Sequence, residues 1–138
     1  TPSRAGDIDS GVMLSEEEYA YAHFDKEGKI NYYGITNDPQ RRSREHKADI
    51  NKTGQMMQLL TGALSHNQAR TLEAMLIREK LENAIADGII SGREPIEIQL
   101  SEAGLLNKNR GRDPDRWEKL DVDNFLIQEG RKFDISNN

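Results

Sequence analysis

Between Glu18 and Phe24 the side chains alternate, with Ala20, Ala22 and Phe24 on one side of an extended chain and Tyr19, Tyr21 and His23 on the other. This period of two predicts a strand. Asp25-Lys26-Glu27-Gly28 is a polar turn with glycine near its end, and Lys29 to Ile35 alternates again, Ile30, Tyr32 and Gly34 opposing Asn31, Tyr33 and Ile35. The two runs predict an antiparallel hairpin that brings Tyr21 near Tyr32. Asn37 or Asp38 then caps a helix, and Pro39 suits its first position because no amide donor is needed there. That helix ends at about Lys47 or Ala48. A third strand is predicted across residues 55 to 63, although its Met and Leu content also suits a helix. Ser65 followed by Gln68 is a capping box. It opens a long helix through about Ala86, with Ala69, Leu72, Leu76, Ile77, Leu81, Ala84 and Ile85 as its apolar stripe and Gly88 closing it.

Past Gly88 the pattern weakens. Ile96, Ile98 and Leu100 alternate as in a short strand, Ser101 caps a single turn ending near Leu106, and Asn107 to Asp113 is polar loop. Pro114 predicts the start of a last helix running to about Gly130, packed through Trp117, Leu120, Phe125 and Leu126. Residues 131 to 138 read as frayed, and residues 1 to 15 as a loose arm rich in Gly, Ser and Asp. The expected organisation is therefore an arm (1–15), an α+β domain (16–110) and a C-terminal helical extension (111–138). Its core is a small three-stranded antiparallel sheet flanked by helices, in the order β-β-α-β-α.

Composition narrows the chemistry. The 138 residues contain no cysteine, which excludes disulfides and thiolate metal sites. No apolar stretch approaches the ~20 residues of a membrane-spanning helix. The chain begins with Thr1 rather than Met, as expected for a fragment of something longer or a processed product. The net charge of −5 argues mildly against a nucleic-acid partner. That charge is uneven, however. Residues 26 to 52 hold seven basic side chains (Lys26, Lys29, Arg41, Arg42, Arg44, Lys47, Lys52) against four acidic ones, a local +3 that leaves −8 for the remainder. Such a field steers polyanions.

The candidate chemistry lies in that basic window. Arg42 and His46 are four residues apart, on one face of the predicted helix. Tyr32 ends the strand just before it. Phenol, guanidinium and imidazole at one strand-to-helix junction suit a reaction on a phosphate ester. Taken singly, each has a plainer explanation: a surface arginine, a histidine at a helix C-terminus, aromatic strand packing. Glu73 shares a helical face with Ala69 and Ile77, where a carboxylate is costly unless paired or bound to a cation. It either reaches solvent at the stripe's edge or serves the same site. His23 and His66 show no partner pattern and read as structural, and Arg41, Arg44 and Lys47 as a surface that attracts phosphate.

Taken together, these residues resemble the GIY-YIG nuclease superfamily over roughly residues 17 to 110. Tyr19-Ala20-Tyr21 stands for the first triplet, Tyr32-Tyr33-Gly34 for the second, and Thr36, Arg42 and His46 follow at the usual offsets. The run from Asn67 to Ile77 looks like the helix carrying the family's metal-binding glutamate, here Glu73. Leu106-Asn107-Lys108-Asn109 resembles its asparagine-bearing segment, with Asn107 preferred over Asn109. Tyr19, Ala20 and Tyr33 depart from the triplets, whereas the reactive tyrosines survive.

The resemblance implies phosphodiester hydrolysis with one Mg²⁺ (or Mn²⁺) on Glu73, Tyr21 as general base, and Tyr32 positioning the water or sharing that role. It also implies Arg42 on the non-bridging oxygens and His46 bonding the phosphate or relaying a proton. Thr36, Arg41, Arg44, Lys47 and Asn107 would contact substrate. The Gln68-to-Glu73 helix looks most like such domains at the C-terminal ends of bacterial polymorphic toxins. That likeness implies DNA or RNA in a target cytoplasm as substrate, delivery from a secreted protein, and a cognate immunity protein. A stand-alone DNA-processing endonuclease and a non-catalytic binding module with the same fold remain alternatives.

Overall fold

The computed structural model describes residues 17–136. The arm expected over residues 1 to 15 lies outside them. Strands β1 (Tyr19–Phe24) and β2 (Ile30–Thr36) form the expected hairpin, and Gly28 in its turn has φ of +81°, a conformation that glycine adopts without strain. Helix α1 (Pro39–Ala48) follows with Pro39 in its first turn, and the Asp38 side chain accepts from the Arg41 amide. Strand β3 (Met56–Leu59) leads to α2 (His66–Ala86), whose Ser65/Gln68 capping box is fully formed. Helix α3 (Ile96–Glu102) and strand β4 (Lys132–Asp134) complete the regular elements.

The sheet has four antiparallel strands in the order β2-β1-β3-β4, not the three expected. The added strand falls where the tail was expected to fray. Lys132-Phe133-Asp134-Ile135 alternates as a half-buried edge strand must, and Ile135 is fully buried against Met57, Leu59 and Tyr21. Two further expectations fail. Ile96 to Leu100 is helical, because Ile96 and Leu100 lie one turn apart and both face inward, whereas Ile98 is exposed. Residues 114 to 130 hold only two single 3₁₀ turns, Pro114–Arg116 and Val122–Asn124. Backbone donors here find partners elsewhere: Glu118 donates to Thr71 Oγ1 (3.1 Å), Ile127 to the Leu60 carbonyl (2.8 Å), and Asp123 to the Asp121 side chain (3.2 Å). Aspartates that bond nearby amides compete directly with helix.

The sheet is covered on both faces. On one, Ala20, Ala22 and Tyr33 pack beneath the α2 stripe of Ala69, Leu72, Leu76, Ile77, Leu81 and Ala84, joined by Leu100 and Leu105. Ile85, expected in that stripe, is exposed. On the other, Tyr21, Met57, Leu59 and Ile135 form a smaller cluster with Tyr19, Tyr32 and Phe133, and α1 packs against β4. The tyrosines of interest belong to the second face, which leaves the larger core intact beneath them.

Candidate active site

Strand register builds the site. In the hairpin Tyr21 is opposite Gly34 and His23 opposite Tyr32, so the three rings share the face that α1 covers. A Cβ at position 34 would sit inside the Tyr21 ring, with Cε1 only 3.0 Å away. Glycine is therefore what lets the phenol lie across β2. Tyr21 and Tyr32 stack with ring centroids 6.3 Å apart, and His46 reaches both from α1 at 5.6 and 5.3 Å. Tyr19 takes no part in this ring cluster and packs with the sheet's smaller core.

The polar contacts are specific. Tyr21 Oη lies 2.7 Å from His46 Nε2, and Arg42 Nε donates to the same oxygen at 3.4 Å. Arg42 also donates to Glu45 Oε1 at 2.9 Å. A ring protonated on Nδ1 accepts the phenol proton at Nε2, and one protonated on Nε2 donates to the phenol oxygen. In both tautomers the ring is neutral. Burial, then the nearby Arg42 and Lys52 cations, hold the His46 imidazole down at about 4. Burial raises both phenols above their ordinary value, for Tyr21 against the opposing bond from Arg42.

Glu73 stands on α2 and lines a cavity of about 300 Å³ together with Tyr32, Lys52, Arg70, Asn107, Lys108 and Asn109. Among the described residues its carboxylate makes no hydrogen bond or ion pair. Burial pushes it up to about 7, against the pull of Arg70 and Arg42. The sheet edge and α2 thus bring the acid to the same hollow as the Tyr32 phenol. A second, smaller hollow is lined by Glu18, Ile35, Thr36, Asn37, Arg41 and Arg42.

The remaining residues singled out in the sequence divide. Thr36 is buried, and its hydroxyl accepts from the Asp38 amide at 3.0 Å, shaping the entry to α1. Arg41 is exposed at the second hollow and pairs loosely with Glu45 at 3.7 Å. Arg44 and Lys47 are exposed and line neither hollow. Asn107 borders the cavity, yet both ends of its amide hold the Tyr33 backbone: Nδ2 donates to the carbonyl at 2.8 Å and Oδ1 accepts from the amide at 3.0 Å. It thus pins edge strand β2, in addition to lining the cavity where the resemblance implied a substrate contact.

Four residues beside the site were not foreseen as members. His23 is fully buried, 4.7 Å from the Tyr32 ring and 4.4 Å from His46 between centroids, and neither of its nitrogens has a hydrogen-bond partner. Burial and then His46 hold it at about 3, so it is neutral. Its alternation with Tyr21 was the available signal. Lys52 places its ammonium 5.8 Å from the Tyr32 ring centroid, and Arg70 precedes Glu73 by three residues on α2. Lys108 adjoins Asn107 in the loop after α3.

A tyrosine pair on a small antiparallel sheet, an arginine and histidine on the following helix, and an isolated acid on the next long helix define a nuclease-type α+β domain. The family model for the GIY-YIG catalytic domain matches residues 17–85. The chain belongs to the GIY-YIG family, whose nuclease domains act on nucleic acid. No curated protein and no solved structure matches it. Among the described residues no helix is long and apolar enough to cross a membrane.

Proposed function

We propose that this domain is a metal-dependent endonuclease that hydrolyses phosphodiester bonds. The observation that carries this reading is the Tyr21–His46–Arg42 hydrogen-bonded cluster, stacked on the one phenol that shares a cavity with Glu73. A pure binding module has no need of a carboxylate raised to about 7 by burial beside that phenol.

The donor set fits a hard divalent cation. Among the described residues no group of three or more His, Cys, Asp or Glu side chains converges, which argues against a zinc cage. A half-buried carboxylate that, among the described residues, has no hydrogen-bond or ion-pair partner suits Mg²⁺, which keeps most of its waters and takes substrate oxygens to complete its shell. Glu73 would hold the ion, and the ion would supply Lewis-acid stabilisation of the phosphoryl oxygens and the leaving oxygen.

The chain's own residues account for the rest. Tyr32 borders the cavity and orients the attacking water; Tyr21, only 1% exposed, stands behind it. Free phenolates are disfavoured here, since burial raises both hydroxyls. The attacking water's proton would pass to the Tyr32 oxygen as the Tyr32 proton leaves through the cavity to solvent, while the Tyr21 oxygen, 2.7 Å from His46 Nε2 and 3.4 Å from Arg42 Nε, holds the imidazole and the guanidinium against the phenol pair. The resemblance implied Tyr21 as general base with Tyr32 positioning the water or sharing that role; we place Tyr32 at the water, because it borders the cavity, and Tyr21 behind it. Arg42, half-buried at the mouth of the second hollow, clamps the non-bridging oxygens and the charge that builds on them. The toxin role and its immunity partner rest on the resemblance of the Gln68-to-Glu73 helix alone.

The test is cleavage of plasmid DNA and of total RNA by the purified chain, with Mg²⁺ and with EDTA. Cleavage with Mg²⁺ that EDTA stops, and that Arg42→Ala or Glu73→Gln abolishes in a folded protein, is the expected result. Full activity in either variant would overturn the assignment.

A further inference from the structure

The Glu73 cavity carries more positive charge than one carboxylate needs. Lys52, Arg70 and Lys108 line it, three cations to one acid, and they come from three separate segments: the loop between α1 and β3, helix α2, and the loop after α3. Arg70 is half-buried, and among the described residues its Nε makes no hydrogen bond. Pairing with Glu73 does not explain the cluster, because among the described residues no ion pair within 4 Å joins it to Arg70, Lys52 or Lys108. Arg112, nearby in sequence, is not part of it, since its guanidinium donates to Asn67 Oδ1 at 3.0 Å. A concave site lined by an arginine and two lysines from three segments fits an anion with several acceptor oxygens, which is what a phosphodiester presents.

We propose that this cavity is a second phosphate subsite, in which Arg70, Lys52 and Lys108 hold a phosphodiester of the nucleic-acid strand next to the one that Arg42 clamps. The inference rests on the endonuclease reading and adds to it a place where the strand is gripped beside Tyr32. It also gives a reason for the excess cations: they bind the strand, and Glu73 takes the metal.

Binding can be read without cleavage. Fluorescence anisotropy in EDTA would follow labelled 16-residue probes (single-stranded DNA, single-stranded RNA and duplex DNA) over a KCl series. The proteins would be the wild type, Lys52→Ala, Lys108→Ala, Arg70→Met and, as a control on the hairpin turn, Lys26→Ala. Arg70→Met keeps the aliphatic stem, and circular dichroism would check its fold; the two lysine variants carry the test if it does not fold. Each lost phosphate contact should lower the slope of log K against log salt by about 0.9 on duplex or about 0.7 on a single strand. Lys26→Ala should keep the wild-type slope, and the probe with the steepest wild-type slope identifies the strand type. Wild-type binding with unchanged slopes in the folded cavity variants would remove the subsite and leave the endonuclease reading standing. A wild type that binds none of the probes would remove both.

Discussion

Replacing Glu73 by Gln should make the metal-free protein more stable, and by an amount that depends on pH. The carboxylate's ordinary value of 4.5 is raised to about 7, with burial as the largest cause. In the unfolded chain the group ionises near 4.5; in the folded chain it holds its proton to about 7. The folded state therefore binds more protons over that interval, and stability falls as pH rises through it. The neutral-acid contribution is intact below 4.5, is lost progressively up to about 7 and is constant above. At about 1.4 kcal/mol per tenfold change in proton affinity, the full effect is at most roughly 3 kcal/mol. Glutamine keeps the shape and cannot ionise, so it escapes this penalty. For a chain of this size that corresponds to up to about 10 °C in Tm. Thermal melts of both proteins in EDTA, from pH 4.5 to 8.5, would measure it. The expected curve has Gln and Glu equal at the acid end, Gln progressively higher up to pH ~7, and a plateau beyond. Mg²⁺ should then raise the Tm of the wild type alone. Equal melts at pH 8.5, or a variant less stable there, would refute the claim that Glu73 is an unpaired, half-buried carboxylate.

Gly34→Ala should displace the Tyr21 ring, costing about 1–3 kcal/mol by overpacking; a melt together with near-ultraviolet circular dichroism would show both effects, and an unperturbed tyrosine signal would contradict the predicted clash. Asn107→Ala removes two hydrogen bonds from the Tyr33 backbone, and a loss of about 1–3 kcal/mol in urea unfolding is expected. If it reduced nucleic-acid affinity at full stability instead, the residue would be a substrate contact after all. With His46 held at about 4 and His23 at about 3, neither ring should titrate between pH 5.5 and 8. Nuclear magnetic resonance of the imidazole protons would check this, and a shift midpoint near ~6.5 would show that these rings keep their ordinary value.

What the sequence showed and what it hid follow from the range of the interactions involved. The hairpin's turn from Asp25 to Lys29, Pro39 at the start of α1 and the Ser65/Gln68 box are set by residues within four positions of each other, and each was legible. Ile96 to Leu100 was ambiguous because Ile96 and Leu100 satisfy both a strand that alternates and a single helical turn. The C-terminal segment could not be read locally at all. Glu118 bonds Thr71, Ile127 bonds Leu60 and Ile135 enters the core beside Met57, so its form is dictated by surfaces built much earlier in the chain.

The same division runs through the site. Arg42 and His46 were paired by helical spacing, and Tyr21 with Tyr32 by hairpin register, so the cluster around the phenols could be assembled on paper. The other wall could not, because it joins a loop lysine, an α2 arginine and a lysine beyond α3. Their convergence depends on Asn107 fastening its loop to edge strand β2 through Tyr33, with the Leu106 amide donating to the Asn31 carbonyl at 2.7 Å alongside. That fastening sets where Lys108 stands relative to Tyr32 and Glu73. Through these bonds Asn107 would shape how the strand is gripped, since the loop it holds supplies one wall of the cavity and the strand it holds supplies the phenol.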